Sequence, residues 1–248
     1  MKNYIKIILA LMLVLTLSAC NKRVSLGETK TYELSSEYHS LDIKINAADF
    51  YIELSDKFSI ESNLKDLSIK EENGTLVVVH KIEKSVSYTD AIFKLYIPND
   101  IVFEEVDIES GAGRFTLNSL SAKSIELEFG AGQVNIASIN ASSSIDIEGG
   151  AGEINISSGS LNNLSLKMGV GSLNLTATLN GKSNLEFGVG ESNLTLIGSK
   201  DDYSFDIKAG IGSISIDGKA YSEFNNNKNA QNEIIIKGGV GALNVSFK

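Results

Sequence analysis

Seven times along this chain, alternating apolar and polar residues break at a Gly-x-Gly corner and then resume. The corners are Gly111 and Gly113, Gly130 and Gly132, Gly150 and Gly152, Gly169 and Gly171, Gly188 and Gly190, Gly210 and Gly212, and Gly239 and Gly241. Their first glycines stand 19, 20, 19, 19, 22 and 29 residues apart, so the period is tight for five repeats and then opens through insertions. Three residues before each corner lie Ile108, Leu127, Ile147, Leu166, Leu185, Ile207 and Ile236, all apolar. One position later every residue is charged: Glu109, Glu128, Glu148, Lys167, Glu186, Lys208 and Lys237. Successive strand side chains face opposite ways, so the first set points inward and the second outward. Beyond the corner, Leu117, Ile136, Ile156, Leu175, Leu194, Ile216 and Val245 face in.

Equivalent residues at constant offset are what in-register stacking produces, each repeat forming one coil and pairing with its sequence neighbours. The expected fold is all-β: a single-chain parallel β-helix or solenoid of about seven to eight coils, spanning residues 106–248. A doubly wound α/β fold is excluded because no helical stretch separates the strands. A meander of antiparallel hairpins is the alternative. The glycines supply positive φ or close approach of chain to chain. The residues between them, Ala112, Ala131, Ala151, Val170, Val189, Ile211 and Val240, are all apolar and are expected to plug the core at the bend. Composition agrees: 22 Gly, one Pro and no Trp suit short strands joined by tight turns.

Residues 31–105 hold strands without the clean corner and read as an irregular β cap with one degenerate coil. The segments 41–45 and 50–54 flank Asn46-Ala47-Ala48-Asp49, followed by strand-like runs at 67–69, 76–79 (after Asn73-Gly74) and 92–97. Pro98-Asn99-Asp100 closes the region. Terminal solenoid coils depart from the repeat because something must cover the open end.

The N-terminus is a targeting segment. Lys2 and Lys6 precede an apolar run at residues 7–17, then Ser18-Ala19-Cys20. That run is short of the roughly twenty residues a membrane span needs, and it fits a signal peptide over residues 1–19. The ending Leu17-Ser18-Ala19-Cys20 resembles a bacterial lipobox, which implies a diacylglycerol on the thiol of Cys20, the only cysteine. Two acyl chains at about 0.8 kcal/mol per buried CH₂ give a stable anchor. Residues 20–30 then form a lipid-anchored linker, and the expected address is the extracytoplasmic face of the cell membrane.

The Asn73-Gly74-Thr75-Leu76-Val77 segment, the strand from Phe93 to Pro98 and the Gly-x-Gly coils together resemble the bacterial adhesin-like DUF4097 family over nearly the whole mature chain. The resemblance implies a right-handed parallel β-helix, often surface-anchored and sometimes associated with envelope-stress regulators. It brings no catalytic residues.

Chemical sites are sparse. A net charge of −9 opposes nucleic acid as a partner. The corners run into strands and lack the third glycine and helix of a dinucleotide site, so no nucleotide and no cofactor is expected. The doublets at Gly149-Gly150 and Gly238-Gly239 lack the nine-residue period and Asp of calcium β-rolls. Asp107, Glu109, Glu126, Glu128, Asp146 and Glu148 fall on the outer side of three successive coils, beside Glu104 and Glu105. Stacked about 4.8 Å apart, they repel by roughly 1 kcal/mol per pair in water. A loosely held Ca²⁺ or Mg²⁺ would relieve this, and a solvated acidic face is the plainer reading. Asn135, Asn155, Asn174 and Asn193 could read glycans, yet stacked asparagines more often bond one another. The Asn-x-Ser/Thr pattern at Asn155, Asn174, Asn193 and Asn244 is a by-product of the repeat. His39 and His80 lie far in sequence from any nucleophile motif, and Arg114 is the only Arg in the repeats. The insertion at 220–232 is expected to shield the open C-terminal edge. The functional expectation is a non-enzymatic surface lipoprotein with an adhesin-like solenoid, a binding, scaffold or envelope-stress-associated module whose ligand would be a cell-envelope protein or glycan. The alternative is a carbohydrate-active β-helix enzyme.

Overall fold

The structure, a computed structural model, describes residues 26–34, 37–80, 90–208, 210–226 and 230–248. Residues 1–19, expected to be a signal peptide, and Cys20 lie outside the described residues. The chain folds as a β-solenoid, and among the described residues strands take most of the backbone.

The strands are β1 (Lys30–Glu33), β2 (Ser40–Ala47), β3 (Asp49–Ser55), β4 (Ser59–Ser62), β5 (Leu67–Glu72), β6 (Thr75–His80) and β7 (Ile92–Pro98). The long β8 (Phe103–Ile156) winds through three repeats, followed by β9 (Gly159–Asn162), β10 (Leu164–Asn180) and β11 (Lys182–Leu196). A short 3₁₀ turn (Lys200–Asp202) leads to β12 (Tyr203–Lys208), β13 (Ile211–Ile216), β14 (Lys219–Tyr221), β15 (Glu223–Asn225), β16 (Asn232–Lys237) and β17 (Val240–Phe247).

Stacking is parallel and in register through the centre. Leu166 lies on Ile147, and Leu185 on Leu166. Inward residues of successive coils make one continuous core, in which Ile108, Leu127, Ile147 and Leu166 are fully buried. An aromatic column that the repeat pattern does not announce runs along its first third. Phe93 and Phe115 both meet Phe50 edge-on at 4.9 and 5.0 Å, and Phe129 continues from Phe115 at 5.0 Å. Each buried ring contributes roughly 1.5–3 kcal/mol, plus a smaller gain from edge-to-face geometry.

At both ends the stacking leaves sequence order, which corrects the expectation that each coil pairs with its sequence neighbours. At the C-terminal end β11 receives β16 and β17, the last coil in the chain, with Leu185 on Ile236 and Asn193 on Asn244. The preceding coil, β12 and β13, packs outside it, with Ile207 on Ile236 and Ile216 on Val245. The N-terminal end repeats the device. There β2 and β3 lie directly against β8, while the later strands β6 and β7 stack outside them. The corner Asn46-Ala47-Ala48 takes the place of a glycine corner, with Ala47 on Ala112.

Each end is closed by antiparallel strands. At the N-terminal end β5 pairs with β6, β4 with β7, and β1 with β4. At the other end β14 pairs with β13 and β15 with β12, so the insertion covers the outer strands as expected. Tyr221 and Phe224 of that cover pack ring to ring at 4.9 Å. Short terminal strands carrying Lys70, Glu71, Glu72, Lys219 and Glu223 give a poor template for further strand addition.

Candidate functional site

The corners explain both glycines separately. The second glycine has φ between +123° and +155° in all seven repeats, a region side chains rarely adopt. The first needs no positive φ but has no room. A Cβ on Gly130 would stand 2.1 Å from the carbonyl oxygen of Gly111, and one on Gly239 would stand 1.9 Å from that of Gly188. The corner backbones therefore lie directly on one another.

The residue between the glycines does not plug the core, which corrects the expectation from its apolar character. Ala112, Ala131 and Ala151 are exposed, and so are Val170 (56%), Val189 (51%), Val240 (47%) and Ile211 (75%). The bend itself is the reason. Inward positions end one residue before the first glycine and resume four residues after it, so the four residues of the turn all remain outside. The inner side of the bend is filled by Phe129, Met168, Phe115, Val134 and Ile154. Gly149 leaves a gap that Ile154 and Met168 enter, since a Cβ there would be 2.7 Å from each.

The asparagines form a continuous ladder. The side-chain amide of Asn155 donates to Asn135 Oδ1 at 3.1 Å, Asn174 to Asn155 at 2.8 Å and Asn193 to Asn174 at 3.0 Å. Asn244 then donates to Asn193 at 2.9 Å, carrying the ladder across the out-of-order joint. These amides are committed to coil-to-coil hydrogen bonds.

The acidic residues lie in two adjacent outward rows bracketed by lysines. Lys44 of the preceding coil pairs with Asp107 at 3.5 Å, and Lys167 of the following coil pairs with Glu148 at 2.5 Å. Lys123 pairs with Glu104 at 3.0 Å. Asp107 holds the Lys44 ammonium above its ordinary pKa, and the hydrogen bond that Lys167 donates to Glu148 does the same for Lys167. Glu126 sits between the lysines. Partial burial, then the charges of Asp107, Glu128 and Asp146, push its carboxyl above the usual range. A groove of about 300 Å³ runs beside Glu109, Glu128, Glu148 and Lys167 and is floored by the corner glycines. Among the described residues, no three acidic, His or Cys side chains gather closely enough to hold a metal ion.

The remaining candidates are dispersed. Arg114 pairs with Asp49 at 3.5 Å across the first joint. His80 is buried at the end of β6, where burial lowers its pKa, and His39 is exposed on the approach to β2.

Residues 24–246 match the family described as Toastrack DUF4097. Among solved structures, a candidate adhesin from Bacteroides fragilis is 11% identical, with a TM-score of 0.43, over 92% of this chain and 100% of its own. A candidate adhesin from Parabacteroides distasonis is 16% identical, with a TM-score of 0.42, over 90% and 98%. A candidate lipid-binding protein from the same species is 17% identical, with a TM-score of 0.40, over 89% and 99%. No curated protein matches this chain.

Proposed function

Because this chain belongs to the Toastrack DUF4097 family, we propose that it is a bacterial surface lipoprotein, held at the membrane through Cys20, whose solenoid binds or scaffolds rather than catalyses. One observation carries the reading: where the chemistry of the repeat goes. The corner glycines are used in close stacking, the asparagines in the ladder, and Lys44, Lys167 and Lys237 in ion pairs between coils. What faces outward is a long, regular surface of repeated rows, suited to contacting a cell-envelope protein or glycan.

Two measurements test it. Cells expressing the chain are fed labelled palmitate and fractionated: the reading expects label in the membrane-bound protein and its loss in Cys20→Ala. The chain is also incubated with a panel of envelope polysaccharides. Retention without new reducing ends agrees with binding, whereas turnover of any of them would overturn the non-enzymatic reading.

A further inference from the structure

The exposed corner residues form a ridge whose character changes along the rod. Register places Val170 on Ala151, Val189 on Val170, Val240 on Val189 and Ile211 on Val240. The ridge is therefore a methyl-sized rail of alanines in the first coils and a projecting rail of branched side chains in the last four. At a stacking distance of about 4.8 Å, those four side chains make an unbroken apolar strip.

Charge divides at the same place. Residues 24–162 carry 23 acidic and 10 basic side chains, whereas residues 163–248, which build the last four coils, carry eight of each. Two rods lying side by side in the same direction would set two halves of net charge −13 against each other. Lying in opposite directions and overlapping only over the last four coils, they would bring together the neutral halves and the apolar strips. The acidic halves would then point away from each other. A two-fold axis between the levels of Val189 and Val240 sets Val189 against Val240 of the second copy and Val170 against Ile211. Beside the strip it sets Glu186 opposite Lys237 of the second copy.

We propose that this strip is a contact between two copies of the chain, arranged antiparallel through their C-terminal coils. The strip presents on the order of 300 Å² of apolar side chain, comparable to the largest patch of an ordinary monomer. A stable dimer buries about 800 Å² per partner, so the contact is weak in solution. It forms when tethering raises the effective concentration. The antiparallel overlap puts the two N-termini at opposite ends of the pair, so copies anchored through Cys20 would bridge two membranes. That last consequence rests on the anchor proposed above.

The test supplies its own anchor. The chain from Cys20 onward, carrying Cys20→Ser and an N-terminal histidine tag, is loaded on nickel-lipid vesicles, and clustering is followed by light scattering. Clustering reversed by imidazole is expected, reduced at least tenfold by Val189→Asp with Val240→Asp while Tm stays within a few degrees. In mixed copies, Val189→Cys in one and Val240→Cys in the other should form a disulfide-linked pair. The proposal is overturned if tethered protein leaves vesicles dispersed, or if the Asp variants cluster them equally well. It is also overturned if Val189→Cys links mainly to itself, which indicates a parallel pair, or if untagged protein binds bare vesicles through the strip. An unlabelled Cys20 in the palmitate experiment would refute the anchor and leave this result standing.

Discussion

Replacing Gly190 with alanine adds one methyl group at a corner where two constraints coincide. The residue has φ +147°, and its new Cβ would stand 1.6 Å from the Gly171 carbonyl oxygen and 2.7 Å from its carbon. A side chain forced into so sparsely populated a region costs about 1–3 kcal/mol. Both atoms it meets are backbone, so no rotamer change relieves the overlap, and the neighbouring coil must move by well over an ångström. That movement breaks ladder hydrogen bonds, each worth about 1 kcal/mol, and opens the core beneath. A loss of at least about 4 kcal/mol is expected, in the class of severe single substitutions. Gly218 separates the two contributions, because it has φ +74° with nothing within 4 Å of a Cβ. Gly218→Ala should therefore cost only about 1–2 kcal/mol. Val189→Ala, at the exposed position beside Gly190, should stay within about 0.5 kcal/mol. Urea denaturation of the three variants, with m-values compared to confirm a common transition, gives the ranking. If Gly190→Ala costs no more than Gly218→Ala, coil-on-coil contact is not what the corner glycines serve.

Three further outcomes follow from the rows and the cap. Asn174→Ala removes one acceptor and one donor from the ladder in a half-exposed row that water can partly re-satisfy. It should cost about 1–2 kcal/mol, about twice the loss from Asn135→Ala at the ladder's end, as read by urea midpoints. Glu126 has its folded pKa raised, so the folded state holds its proton more tightly and the charged form destabilises above the ordinary carboxylate range. Glu126→Gln should therefore stabilise at pH 7 by up to about 1 kcal/mol, less in salt, with the gain vanishing as the pH falls below about 4.5. His80 has its folded pKa lowered by burial, so the unfolded state binds the extra proton first. Its contribution is complete above an unfolded pKa of about 6.5 and is lost as pH falls through the folded value. Thermal melts of His80→Gln and the parent should converge as pH is lowered from 7 to 5.

Strand positions and their inward and outward sides were legible in the sequence, because period-two alternation reports a half-buried strand directly. The direction of the corner residue was harder to read, since apolar character suggested burial. The switch from odd to even inward offsets across the glycines, already present in Ile108 and Leu117, carried the answer. The order of the terminal coils was hidden for a physical reason. Repeats with the same corner and the same inward residues are interchangeable as stacking partners, so local pattern does not rank them. One signal distinguishes them: Asn244 can extend the asparagine ladder and Ser215 cannot, and the structure seats Asn244 next to Asn193. The acidic rows were legible as rows. Of their flanking cations, Lys167 stood in the same row of the repeat, whereas Lys44 was hidden because it arrives from a coil without a glycine corner.

The order of coils at the C-terminal end is the part of the account most open to direct test. Thr195 and Ser246 are register partners with hydroxyl oxygens 3.2 Å apart, although 51 residues separate them. Stacking in sequence order would instead bring Thr195 beside Asp217, the equivalent position of the preceding repeat. In a Cys20→Ser background, Thr195→Cys with Ser246→Cys should oxidise to an intramolecular disulfide without loss of stability. Thr195→Cys with Asp217→Cys should remain reduced under the same conditions. A disulfide in the second pair and none in the first would contradict the inserted last coil.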